Sequence, residues 1–217
     1  MIETGEIIKM DAYIDFVETD ARCSMCHRPL SSGKAVVFNK KNFGNTCARK
    51  QGIDVSNIPD LTKGSIAETA NTEIVSSGIG KKGVDLKYRD SVKQKCLSYL
   101  ILRCDKLKDI KKIQYSGLNG IYSKYTNHSI NQDDIRHISN IINLAERKFK
   151  ESSIENLYFC YAVKCQLENL KKRYHYEIFD SFLIYLHEHA TLTIKQFNVL
   201  MKYSPVKIKY YDYQSDE

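Results

Sequence analysis

Residues 23–47 read CSMCHRPLSSGKAVVFNKKNFGNTC, and the spacing of the cysteines in this stretch decides how the amino-terminal part of the chain folds. Cys23 and Cys26 are separated by two residues. That spacing lets one tight turn present two sulfurs to a single ion, each about 2.3 Å from it when the ion is zinc. Cys47 follows after a gap long enough for a hairpin, just behind Gly44, a residue that can support an unusual backbone turn. The pattern predicts a structural metal site with zinc as the cofactor and Cys23, Cys26 and Cys47 as ligands. A structural zinc takes four ligands, and no further cysteine occurs before Cys96. His27 is the nearest fourth ligand, although its place directly after Cys26 strains simultaneous chelation; Asp20, a histidine from further along the chain, or water are the alternatives. Water in that position would open catalytic chemistry. No glutamate stands in an H-x-E arrangement to serve it.

Working outward, residues 6–17 (EIIKMDAYIDFV) and 34–38 (KAVVF) have the β-branched and aromatic content of short strands. They bracket the CxxC pair, as expected of a small ribbon whose hairpins carry thiolates. The motif C-x-x-C-x-R-P-L followed by G-x-x-C resembles a short zinc-ribbon-like domain of unknown function found in many bacteriophage and mobile-element proteins. The matching positions are Cys23, Cys26, Arg28, Pro29, Leu30, Gly44 and Cys47, so the resemblance covers about residues 20–50. It implies a zinc fold rather than an activity. Where that domain has a Gly-Ile-Gly-Pro-like run before its last cysteine, this chain has Asn42-Phe43-Gly44-Asn45-Thr46, which leaves the fourth ligand unassigned.

Beyond the ribbon, residues 52–86 shift to Ser, Thr, Asn, Gly and Asp with weak periodicity and read as a linker or long loop. Its GIGKKG run, 78–83, lacks the spacing of a phosphate-binding loop. From residue 87 the repeat becomes helical. A helix over 88–104 would bury Val92, Cys96, Tyr99, Leu100 and Arg103, and a second over 106–115 would stop near Gly117 and Gly120. Asn131 caps the next, whose apolar stripe runs Ile135, Ile138, Ile141, Ile142, Ala145, Phe149. Ser153 or Ser152 caps a helix with Leu157, Tyr161, Cys165, Leu167 and Leu170 inward; segments 177–188 and 194–203 follow, the last with Thr193 and Gln196 as a capping box. The expected fold is therefore α+β but mainly α: a zinc-ribbon-like module (1–51), a linker (52–86) and a helical bundle (87–217).

Charge and cysteine usage bound the function. Lys and Arg number 33 against 26 Asp and Glu, a net charge of +7 that suits an anionic partner without requiring one. Cys96, Cys104, Cys160 and Cys165 fall among apolar helical neighbours and read as reduced core thiols. No apolar run approaches the roughly 18–20 residues needed to span a bilayer, and the amino terminus lacks an export signal, so a cytoplasmic protein with no membrane partner is expected. The HEH triplet at 187–189 points its two histidines to different sides of a helix and reads as a surface pair. No catalytic set is visible. The stretch RCDKLKDIKK, 103–112, offers Lys106, Lys108, Lys111 and Lys112 to phosphates, and several of the 15 tyrosines stand beside bases, as in Arg173-Tyr174 and Lys202-Tyr203. Phosphate pairing with base stacking grips nucleic acid, while tyrosine is equally common at protein interfaces. The sequence thus favours a non-enzymatic accessory protein that binds nucleic acid or a nucleoprotein complex. The alternative is a protein-binding inhibitor or assembly factor acting through the helical domain, and a metal-dependent enzyme is the third reading.

Overall fold

The computed structural model describes residues 12–18, 20–64 and 81–213, with the side chains of 81–90 excepted. The chain is α+β and mainly α, and it divides into two compact units, Met1–Asp60 and Leu61–Glu217.

In the first unit β1 (Tyr13–Phe16), β2 (Lys34–Phe38) and β3 (Lys41–Phe43) form an antiparallel sheet in that order, Ile14 opposite Val36 and Val36 opposite Phe43. Asn39 and Lys40 turn the β2–β3 hairpin at φ of 49° and 59°, the left-handed pair that a two-residue hairpin turn demands. On the other edge, the Pro59 carbonyl accepts the Ile14 amide at 2.8 Å. A short helix, α1 (Asn45–Lys50), follows β3. The core is small: Ala12, Leu30, Ala35, Val36, Phe43, Ala48, Ile53 and Ile58 surround Cys23. Ile53 and Ile58 lie in the stretch expected to be linker. Residues 52–58 show no helix or strand repeat because they consist of a turn at Gly52 (φ 74°) and one 3-10 turn, Val55–Asn57, capped by Asp54. Residues 6–11 of the first expected strand lie outside the described residues.

The second unit is built around α5 (Ile154–Tyr174), in which every residue from Asn156 to Val163 is buried. A helix enclosed on all sides is a core element, and its neighbours carry the amphipathic pattern instead. Ser153 caps it, its hydroxyl accepting the Asn156 amide. Along it packs α6 (Glu177–His189), and α7 (Ile194–Tyr203) meets it through Phe197 on Phe159; α2 (Lys81–Ile101), α3 (Asn119–Thr126) and α4 (Gln132–Lys148) complete the unit, with α4 packed on α2. The capping boxes at Asn131–Asp134 and Thr193–Gln196 are both complete. Ile135, Ile138, Ile142 and Ala145 bury the stripe of α4, but Phe149 is 49% exposed because the helix ends one residue earlier and Phe149 leaves helical backbone.

Three further features differ from expectation. No helix spans 106–115. Instead α2 widens into a π turn, Leu102–Lys106, closed by the Leu107 amide on the Leu102 carbonyl (2.9 Å), and only one 3-10 turn, Lys111–Ile113, follows. Leu107, Ile110 and Ile113 are fully buried, so their spacing of three mimics a helix although irregular backbone delivers them. The π turn leaves Arg103 donating to the Ile113 carbonyl, to the Tyr99 hydroxyl (2.6 Å) and to the Ser152 hydroxyl (3.1 Å). Second, α3 exists although Gly117 and Gly120 read as stops, since Gly120 sits in its first turn, where the interior penalty does not apply. Third, the 52–86 linker is shorter than expected at both ends. Leu61 and Thr62 are buried, Gly64 lies so close to α5 that a Cβ there would come 2.3 Å from the Tyr158 carbonyl oxygen, and Lys81–Gly83 already belong to α2. Among the described residues no helix is long and apolar enough to cross a membrane.

Candidate metal centre

The CxxC turn is a miniature hairpin. Arg22 and Pro29 pair across its base, the Cys23 amide donates to the Arg28 carbonyl (3.0 Å), and the His27 amide donates to the Cys23 carbonyl (2.8 Å). Closing so tight a loop forces His27 to a φ of 59°. The Ser24 amide on the Asn42 carbonyl (2.7 Å) ties the turn to β3, which runs through Gly44 into α1 and so brings Cys47 opposite the pair. The ligand atoms of Cys23, Cys26 and Cys47 lie within 4.8 Å of one another. Sulfurs sharing a tetrahedral zinc at about 2.3 Å each stand roughly 3.8 Å apart, so the trio needs little adjustment to close on an ion. These three cysteines could hold a metal ion.

Local electrostatics prepare the site. Burial works to push the Cys23 thiol up, but the backbone amides of Cys26, Gly44 and Met25 and the Cys26 thiol outweigh it, and the pKa falls to about 6. Cys47 moves the other way, to about 11, first because its thiol serves Cys26 and Cys23 and then through burial. Thiolate ligands bind an ion deprotonated, so metal binding at this trio would release protons. Amides already aimed at a sulfur are the outer support a thiolate ligand requires.

Two expectations about this site are corrected. His27 is exposed and is not a member of the converging group, and neither is Asp20. The backbone at His27 is left-handed (φ 59°), and its carbonyl accepts the Arg22 guanidinium (3.1 Å). Gly44 performs no unusual turn. Its φ is −70°, and a Cβ there would meet Leu30 at an ordinary 3.6 Å; what it contributes is its amide to Cys23. The remaining cysteines behave as core thiols where they are buried: Cys96 and Cys104 are pushed to about 11 and Cys160 higher still, in each case by desolvation.

The basic segment is dispersed. Without a 106–115 helix, Lys106, Lys108, Lys111 and Lys112 share no helical face. The Lys106 side chain is only 19% exposed and approaches Asp105 at 3.9 Å, whereas Lys108, Lys111 and Lys112 are exposed. Lys164 reaches into the segment, donating to both Asp109 carboxylate oxygens (2.8 and 2.9 Å) and to the Lys106 carbonyl (2.9 Å). His187 completes this cluster, its Nε2 lying 2.8 Å from an Asp109 carboxylate oxygen without hydrogen-bond alignment. Burial opposes ionisation of Asp109, but Lys164 and His187 hold its pKa below the usual carboxylate value. His189 instead stacks on Tyr185 at 4.0 Å and contacts the Tyr185 carbonyl, so the two histidines serve different neighbours. No signal in the sequence announced the Lys164–Asp109–His187 cluster, because its members are far apart along the chain and each belongs to an unremarkable charge pattern. Compared with known proteins, the chain matches no family model, no curated sequence and no solved structure.

Proposed function

We propose that the chain is a non-catalytic binding protein whose amino-terminal module is held by zinc and docks on nucleic acid or a nucleoprotein complex. The observation that carries this is the thiolate trio itself. Soft sulfur donors at tetrahedral spacing favour zinc over harder cations. The exposed bases Arg28, Arg49 and Lys50 stand within three residues of Cys26 or Cys47 along the chain, so an ion that orders the knuckle and α1 also orders these cations. Lys108, Lys111 and Lys112 offer a second basic stretch on the helical unit.

The test is a salt titration of gel-shift affinity with the zinc-loaded full chain on single-stranded and duplex probes. Phosphate contacts make the logarithm of affinity fall linearly with the logarithm of salt, and replacing Arg28, Arg49 and Lys50 by Gln lowers that slope by about 0.9 per lost duplex contact. No affinity for DNA or RNA at low salt would overturn nucleic-acid binding and leave the protein-binding alternative.

A further inference from the structure

At one end of the helical unit, where α5 and α7 finish and α6 begins, three tyrosines stand in the open. Tyr174 is 38% exposed, Tyr176 50% and Tyr203 42%. Their rings form one surface. Tyr174 and Tyr176 stack at 5.7 Å with 18° between planes, and Tyr203 stands edge-on to both at 6.1 and 6.3 Å. Phe179, fully buried, holds the group from below through Tyr176 (6.0 Å) and Tyr203 (5.7 Å). Rings fixed in this way lose little freedom on meeting a ligand.

Basic residues border this surface on two sides, with Glu177 and Asp180 in the first turn of α6 on the third. The last turn of α5 carries Lys171, Lys172 and Arg173, with the Arg173 guanidinium 6.0 Å from the Tyr174 ring centre, and the last turn of α7 carries Lys202. Lys171 is engaged with Asp180. Cations at helix ends also answer the helix dipole, which accounts for their position but not for an exposed aromatic platform between them. Pre-set π faces bordered by positive charge match a single strand of nucleic acid, whose bases stack while its phosphates pair.

We propose that Tyr174, Tyr176 and Tyr203 form a stacking platform for the unpaired bases of single-stranded nucleic acid. This rests on the nucleic-acid assignment above and adds the ligand class and a site distinct from the basic residues beside the cysteines. Because the chain contains no tryptophan, Tyr176→Trp installs a unique reporter that preserves stacking. Titrating the full-length variant with oligothymidylate of about 20 nucleotides quenches its emission if bases stack there. Tyr174→Leu with Tyr203→Leu keeps apolar bulk and removes the π faces, and it lowers affinity for the same oligonucleotide by about tenfold or more, with helical circular dichroism unchanged. Binding to the oligonucleotide with no quenching and no loss in the leucine variant overturns the platform while leaving nucleic-acid binding intact. No binding to this or to a duplex probe at low salt overturns both. Should the leucine variant misfold, the tryptophan titration decides alone.

Discussion

The interior of the amino-terminal unit contains three alanines, and its largest buried side chain is Phe43; that of the helical unit encloses Tyr99, Phe159 and Phe179 almost completely. Small domains bury too little apolar surface to offset chain entropy, and metal ligation is one of the few supplements open to them. Metal ligation by the three cysteines, as proposed, would do for the first unit the physical work that aromatic packing does for the second. Variants that weaken one unit are therefore expected to leave the other standing.

The largest effect should follow loss of the thiolates. Cys23→Ser or Cys47→Ser removes a ligand from a site of the kind that supplies on the order of 10 kcal/mol of apparent binding energy. Elemental analysis should find about one zinc per wild-type chain and none in either variant, with the helical circular dichroism signal retained. Collapse of the helical signal as well would break the comparison.

Phe159→Ala comes next, at about 3–5 kcal/mol by chemical denaturation, without loss of zinc. Phe159 packs against Phe197 at 5.9 Å and Tyr210 at 5.8 Å, so its removal opens the centre of the helical core. Gly64→Ala should cost about 1–3 kcal/mol, because the Tyr158 carbonyl cannot move without disturbing α5. A fragment comprising residues 61–217 should accordingly be more stable than one beginning at 87. Equal stability in thermal melts would show that the strap formed by Leu61, Thr62 and Gly64 contributes nothing.

Smaller still is the contribution of the α4 amino terminus. Asn131→Ala should lose about 1 kcal/mol, since the Asn131 side chain accepts the amides of Asp133 and Asp134. Asp134 also titrates informatively. Lys124 and the Asn131 amide lower its pKa, outweighing burial. A depressed carboxylate stabilises above its unfolded pKa of about 4, and that stabilisation is lost as pH falls through the folded value. Asp134→Asn should therefore flatten the acid limb of urea-measured stability for the helical unit. An unchanged limb would assign the acid sensitivity elsewhere.

What the sequence disclosed depended on how local the signal was. The Cys23–Cys26 pair, the Asn131 cap and the Thr193–Gln196 capping box were legible because at most four adjacent residues carry each motif, and short-range hydrogen bonds enforce it. The π turn at Leu102–Lys106 was not, because Leu107, Ile110 and Ile113 repeat at helical spacing although turns deliver them to the core. Gly64 looked like linker because its constraint is a carbonyl on α5, far along the chain. His27 looked like a ligand because it adjoins Cys26 in sequence, yet adjacency does not place its ring among the converging sulfurs. His27→Gly, which relieves its left-handed backbone, should accordingly leave zinc stoichiometry unchanged.

The most direct test of metal dependence is hydrogen exchange on the zinc-loaded full chain before and after chelation. Chelation should strip protection from amides in residues 20–60, including those of Cys26 and Gly44, while α4 and α5 exchange as before. Protection of residues 20–60 that survives complete removal of zinc would contradict metal dependence.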